Sequence, residues 1–212
     1  MICEHLRATG RFSGFGEPFN HELVIERSNE FGLDSMEDYL HWLMEDIRRP
    51  GTQFGMKASL DQVLMLLHSG AVPRYFSNCK WIFVQRVDVL SQAISLSIAR
   101  QTNQWHSFEK SSDVEPSYDF GHIRHTVAEI SDIYSNSLSL ISMLGLNIYH
   151  LTYEQFLQDI EEETRRLAAY LGENEVSINP ARLRLRKQGN AINQDFKSRF
   201  LNDFRKWSDR FL

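Results

Sequence analysis

Two cysteines, Cys3 and Cys79, are all that 212 residues contain. No disulfide framework can be built from them, no Cys/His set with metal-ligand spacing is present, and the setting they fit is a reducing cytosol. Positive charge is not in excess either. A net charge of −5 excludes a general attraction to nucleic acid or to an anionic membrane, so any anion-binding site must be local. No apolar run is long enough to cross a bilayer, the first residues lack a signal-peptide pattern, and neither repeats nor low-complexity linkers occur. A cytoplasmic location is expected. Gly14-Phe-Gly16 is too short a glycine signal for a nucleotide loop. What is there is a chain with 42% hydrophobic and 12% aromatic residues, enough at this length for a real core, and residues 1–212 are expected to form one domain.

Periodicity gives an alternation of helices and strands. The first residues read as the latter part of a helix, with Ile2, Cys3 and Leu6 on one face and Gly10 as the stop, followed by a flexible loop over residues 10–16. Ser35 opens an amphipathic helix with Tyr39, Leu40, Leu43, Met44 and Ile47 facing a core. A strand is expected over 53–57, a helix capped by Ser59 and Gln62 over 60–68, and a loop through Pro73. Beyond 113–116, a polar break, a long helix spans 120–144 with Ile123, Val127, Ile130, Ile133, Leu138, Ile141 and Leu144 as its apolar stripe. A strand at 147–151, a helix over 153–171 and a final helix over 191–207 complete the order. Such an order argues for an α/β fold with a mostly parallel sheet flanked by helices. Three strands are visible, and a fourth is expected ahead of Met1.

The chain turns on residues 79–106. Trp81 to Val84 has the composition of a buried strand, and beyond Arg86 the apolar period becomes helical, with Asp88 as the N-cap. Arg86 therefore stands between a strand end and a helix start, where open α/β sheets bind ligands and where free N–H groups suit an anion. Ser91 and Ser95, one turn apart, can aim their hydroxyls back toward it as a phosphate clamp. The plain alternative is a surface arginine and ordinary helix serines. Other candidates are weaker: His122 and His125 lack a third metal ligand, so no metal is expected, and Glu161 to Glu163 with Arg165 and Arg166 reads as a solvated face.

The run Arg86-Val-Asp-Val-Leu-Ser-Gln-Ala-Ile-Ser95, continued by Ala99-Arg-Gln-Thr102 and Trp105-His106, resembles the bacterial carbohydrate sulfotransferase family typified by trehalose 2-sulfotransferase. Leu6-Arg-Ala-Thr-Gly10, Glu17-Pro-Phe-Asn20, Phe54-Gly-Met-Lys57, Tyr118-Asp119, Tyr153-Glu154 and Lys187-Gln188 with Phe196 and Arg199 extend the likeness over most of the chain. The resemblance implies a P-loop NTPase-like sulfotransferase fold and transfer of a sulfuryl group from 3′-phosphoadenosine 5′-phosphosulfate to a carbohydrate or glycolipid hydroxyl. By the same resemblance, Arg86 and Ser95 hold the 3′-phosphate, Glu17 is the general base, and the protein is a homodimer. Arg186 and Lys187, with Arg184, are expected to close over the nucleotide, a solvated basic face being the other reading.

Two departures from the family pattern stand out. Pro18 replaces the usual aromatic beside the base. The family also places a strand and an Arg-Ser-Gly-Ser-Thr type loop ahead of the helix that here starts at Met1, roughly 15 residues, so the domain is expected to be N-terminally incomplete, with exposed sheet edges. That leaves a non-catalytic nucleotide- or glycan-binding protein as the alternative to an enzyme, and a magnesium-dependent phosphoryl transferase as a third.

Overall fold

Gly14 and Gly55 lie opposite one another on adjacent parallel strands, and their bare backbones let the strands meet. A Cβ on Gly14 would stand 2.4 Å from the Gly55 carbonyl oxygen, and one on Gly55 would stand 2.3 Å from the Phe15 ring. The strands are β1 (Phe12–Gly16) and β2 (Gln53–Met56), paired in register from Phe12 with Gln53, with an irregularity at Phe15, whose φ is +59°. The expected flexible loop over 10–16 is thus a strand. Gly14 there serves close approach as well as a positive φ, which composition alone could not distinguish.

The computed structural model describes residues 1–46, 50–105, 114–183 and 191–209. Ten α-helices accompany four strands among these residues: α1 (Ile2–Ala8), α2 (His21–Phe31), α3 (Met36–Asp46), α4 (Leu60–His68), α5 (Ala71–Tyr75), α6 (Val89–Thr102), α7 (Phe120–Met143), α8 (Tyr153–Gln158), α9 (Ile160–Leu171) and α10 (Ala191–Ser208). The other two strands, β3 (Trp81–Gln85) and β4 (Ile148–Thr152), pair in a second two-stranded sheet. No described helix is long and apolar enough to cross a membrane. The chain has a mixed α/β fold of short strands among helices, and it divides into two compact units.

The first unit comprises Met1–Phe83, Asn147–Tyr149 and Gln155–Leu183. Its core gathers Phe19, Tyr39, Leu40, Leu43, Leu66, Ala71 and Phe76, the α3 stripe expected from periodicity meeting α4 and α5; Ile47 lies outside the described residues. The Ser59–Gln62 capping box forms as expected. Pro73 sits in the first turn of α5 rather than in a loop, a position where its missing N–H costs nothing. α1 buries Glu4, His5, Leu6 and Ala8, while Ile2 and Cys3 stay half-exposed, because it is covered by β1, α9 and the 3-10 turn at Pro180–Arg182. Asp159 accepts the N–H of Glu162 at 3.0 Å and starts α9 afresh, so the expected helix over 153–171 is two.

The second unit comprises Val84–Leu146, His150–Glu154 and the described residues after 190. Ile94 of α6, Ile123 of α7, and Phe196 and Phe200 of α10 form its core, flanked by Tyr118 and Phe120. The stripe of α7 is buried only in its first half: Ile123 and Ile130 are covered, but Ile133, Leu138 and Leu144 remain 49, 43 and 43% exposed. α6 and α10 pack on α7, and beyond Tyr134, which donates to Gln92 of α6 at 2.8 Å, much of the stripe stays exposed. The expected buried strand is also half-exposed, Val84 most of all.

Candidate functional site

Glu17 follows β1 directly, and Lys57 follows β2, so the parallel register brings both to the carboxyl ends of neighbouring strands, the usual ligand side of such a sheet. The Lys57 N–H extends the ladder by donating to the Gly16 carbonyl at 2.8 Å, and its ammonium donates to Glu17 Oε1 at 2.6 Å. Both side chains are about half-exposed and border a concavity of about 290 Å³ that Ala58, Ser59 and Gln62 complete. The loop carrying Glu17 is held from three helices. Tyr39 of α3 donates to the Pro18 carbonyl, Gln62 of α4 donates to the Phe19 carbonyl at 3.0 Å, and Asn20 caps α2 by accepting from Glu22 at 3.1 Å. A fixed loop gives the carboxylate a defined place, which is what a general base needs.

In the second unit, Arg86 sits where the sequence puts it, between β3 and α6. Its guanidinium carbon lies 4.3 Å from the centroid of the Tyr153 ring. Nε is buried without a hydrogen-bond partner, and among the described residues no carboxylate oxygen comes within 4.0 Å of the guanidinium. A cation over an aromatic ring is attracted by the ring's quadrupole, which helps to hold the guanidinium in place.

The backbone amides around Arg86 are a different matter. The N–H groups expected to be free for an anion at this junction are largely taken. The Arg86 N–H donates to the Tyr134 hydroxyl at 3.0 Å, Val87 and Asp88 donate to the Glu154 carboxylate at 2.9 and 3.4 Å, and Ser91 donates to Asp88 Oδ1 at 3.0 Å. An internal carboxylate already fills the place that a bound anion takes at an open helix start. Burial alone would raise the Glu154 carboxyl, but the N–H groups of Val87 and Asp88, with the charge of Arg86 nearby, hold it below its ordinary value. Anion binding here falls to side chains.

The two serines divide. Ser91 belongs to the cap: it donates to Asp88 Oδ2 at 2.7 Å and accepts from Lys197 Nζ at 2.9 Å, while Lys197 also donates to Asp88 Oδ2 at 2.5 Å. Against the burial that raises it, those bonds from Lys197 and Ser91 bring Asp88 down to about 2. Ser95 is exposed and accepts from Asn193 Nδ2 at 3.1 Å. Phe196 is buried between α6 and α7 and pins α10 in place, and Arg199 stacks on Tyr118 at 4.1 Å, so these two serve packing in the described structure. Arg184, Arg186 and Lys187 lie outside the described residues.

The residues that sequence reasoning passed over are Lys57, Asn193 and Lys197. Lys57 closes the strand expected over 53–57, and that position is the signal for it in the sequence. Asn193 and Lys197 carry a signal that was legible, the same i, i+4 spacing as Ser91 and Ser95.

No curated protein matches the chain. A family model described as Stf0 sulphotransferase matches residues 1–203. The match takes in β1 with Glu17, the Arg86 junction, the Tyr153-Glu154 junction beneath it and most of α10. With nearly the whole of its length inside that model, the chain belongs to the Stf0 sulphotransferase family, whose chemistry is sulfuryl transfer.

Proposed function

We propose that the protein moves the sulfuryl group of 3′-phosphoadenosine 5′-phosphosulfate to a hydroxyl of a carbohydrate or glycolipid. The observation that carries this reading is Arg86, a cation over the Tyr153 ring with its Nε buried and unpaired, next to a turn whose Val87 and Asp88 amides are already filled. A phosphate oxygen supplies the acceptor that the guanidinium lacks, with charge-assisted and bidentate bonding open to it. Ser95 is the second ligand of that 3′-phosphate, and Arg186 and Lys187 are assigned to cover the nucleotide.

Glu17 is the base. In the transfer, its carboxylate takes the proton of the acceptor hydroxyl as that oxygen attacks sulfur, and the bond from sulfur to the bridging oxygen breaks, releasing adenosine 3′,5′-bisphosphate. The fixed loop and the concavity beside Glu17 support an acceptor bound there. The exposed aliphatic residues of α7, Ile133, Leu138 and Leu144, support the homodimer that the family resemblance implies. Two free thiols support a reducing, cytoplasmic setting.

The test is transfer of label from ³⁵S-labelled 3′-phosphoadenosine 5′-phosphosulfate to a panel of mono- and disaccharides and glycolipids. Labelled sugar with the wild-type chain and none with Glu17→Gln supports the reading. Equal labelling by both removes Glu17 from the role, and no labelling of any acceptor counts against transfer.

A further inference from the structure

α6 and α10 face each other through two rungs of matched spacing: Ser91 and Ser95 on one helix, Lys197 and Asn193 on the other. Each serine accepts from its partner, Lys197 at 2.9 Å and Asn193 at 3.1 Å. The bonding capacity left over decides what the ladder can do. A serine hydroxyl has one proton and two lone pairs. Ser91 spends its proton on Asp88 and offers nothing more to an anion as a donor. Ser95 receives the Asn193 amide on its oxygen and keeps its proton to donate. An ammonium has three N–H groups. Lys197 gives one to Asp88 and one to Ser91, and the third remains.

We infer that Lys197 is a further ligand of the nucleotide 3′-phosphate and that Asn193 is the positioning residue that sets the Ser95 hydroxyl to donate to it. The inference rests on the reading of Arg86 and Ser95 as the 3′-phosphate clamp. It adds a positive charge and an oriented donor from α10, so the last helix of the chain reads the 3′-phosphate. In the free protein, Asp88 holds that charge in store. The Asp88 carboxylate and the phosphate compete for the same ammonium, so nucleotide affinity is set partly by a residue whose other task is to cap α6.

Calorimetric titration with adenosine 3′,5′-bisphosphate and with adenosine 5′-monophosphate, which lacks the 3′-phosphate, tests it on the whole chain. Lys197→Met is expected to weaken the bisphosphate by about tenfold or more and leave the monophosphate unchanged, while Lys197→Arg keeps most of the affinity. Asp88→Asn keeps an N-cap oxygen and removes the competing charge, so it should bind the bisphosphate more tightly than wild type. Bisphosphate affinity unchanged in Lys197→Met, or both ligands weakened equally, would overturn the inference in favour of a purely structural lysine. Affinity unchanged or lowered in Asp88→Asn would also count against it. Failure of the underlying reading shows separately, in the wild-type chain, as no preference for the bisphosphate over the monophosphate.

Discussion

Glu154 accepts the backbone N–H of Val87 at 2.9 Å, at the point where an anion-binding helix start leaves such a group open. The carboxylate comes from the junction after β4, and the neighbouring Tyr153 is the ring on which Arg86 stacks. One dipeptide therefore both fills the amides and holds the cation. The consequence is a division of labour: backbone shapes the junction, and side chains are left to meet an anion.

Replacing Glu154 with Ala strands two N–H groups and loosens the turn beneath Arg86. Unfolding in urea should show a loss of about 1–3 kcal/mol, and Glu154→Gln, which retains one acceptor oxygen, should lose less. Equal stability of Glu154→Ala and wild type would show that the turn stands without it.

Gly14→Ala places a Cβ 2.4 Å from the Gly55 carbonyl oxygen at a φ of +78°, and the backbone on both strands must part to admit it. A loss of about 1–3 kcal/mol from overpacking is expected, with the strain of the left-handed conformation added. Gly16→Ala, where a Cβ meets nothing within 4 Å, is the matched control and should cost far less.

Asp88 is brought from 3.8 to about 2 on folding, so the unfolded chain binds its proton at a higher pH than the folded one. The stability this contributes is present above pH about 4 and is lost as pH falls through about 2. Glu154, also lowered, acts in the same direction. Urea midpoints measured between about pH 5 and pH 2 should fall less steeply in Asp88→Asn than in wild type. Parallel curves would mean that the Lys197 pair carries no such linkage.

Glu17→Gln should leave binding of adenosine 3′,5′-bisphosphate unchanged and lower turnover by about 10²- to 10⁴-fold, the range for loss of a general base. Lost nucleotide affinity in this variant would make Glu17 a binding residue instead.

How much of this was legible in the sequence depends on whether the information is local. The Ser59–Gln62 capping box, the Asp88 N-cap and the long α7 follow from neighbours a few residues apart, and the structure contains them. β1 was hidden because Gly14 and Gly16 look like punctuation, and their use becomes visible only when Gly55 from another strand is set beside Gly14. The stripe of α7 is continuous in sequence, yet periodicity says which residues share a face and not how far along the helix its cover reaches. The site divides in the same way. Arg86 announces itself by standing at a strand end, whereas Glu17 is marked in the sequence only by the family motif around it. Their partners come from far along the chain: Tyr153 lies 67 residues from Arg86, Glu154 lies 67 from Val87 and Lys57 lies 40 from Glu17, and no local pattern couples them.

The central claim is that Arg86 binds the nucleotide through its 3′-phosphate, and the most direct measurement is calorimetry of Arg86→Ala and Arg86→Lys against wild type with adenosine 3′,5′-bisphosphate. The account predicts binding by wild type and loss of binding in Arg86→Ala. It also predicts only weak recovery in Arg86→Lys, because an ammonium neither stacks flat on Tyr153 nor presents two parallel donors. Binding of the bisphosphate by Arg86→Ala with wild-type affinity would contradict it.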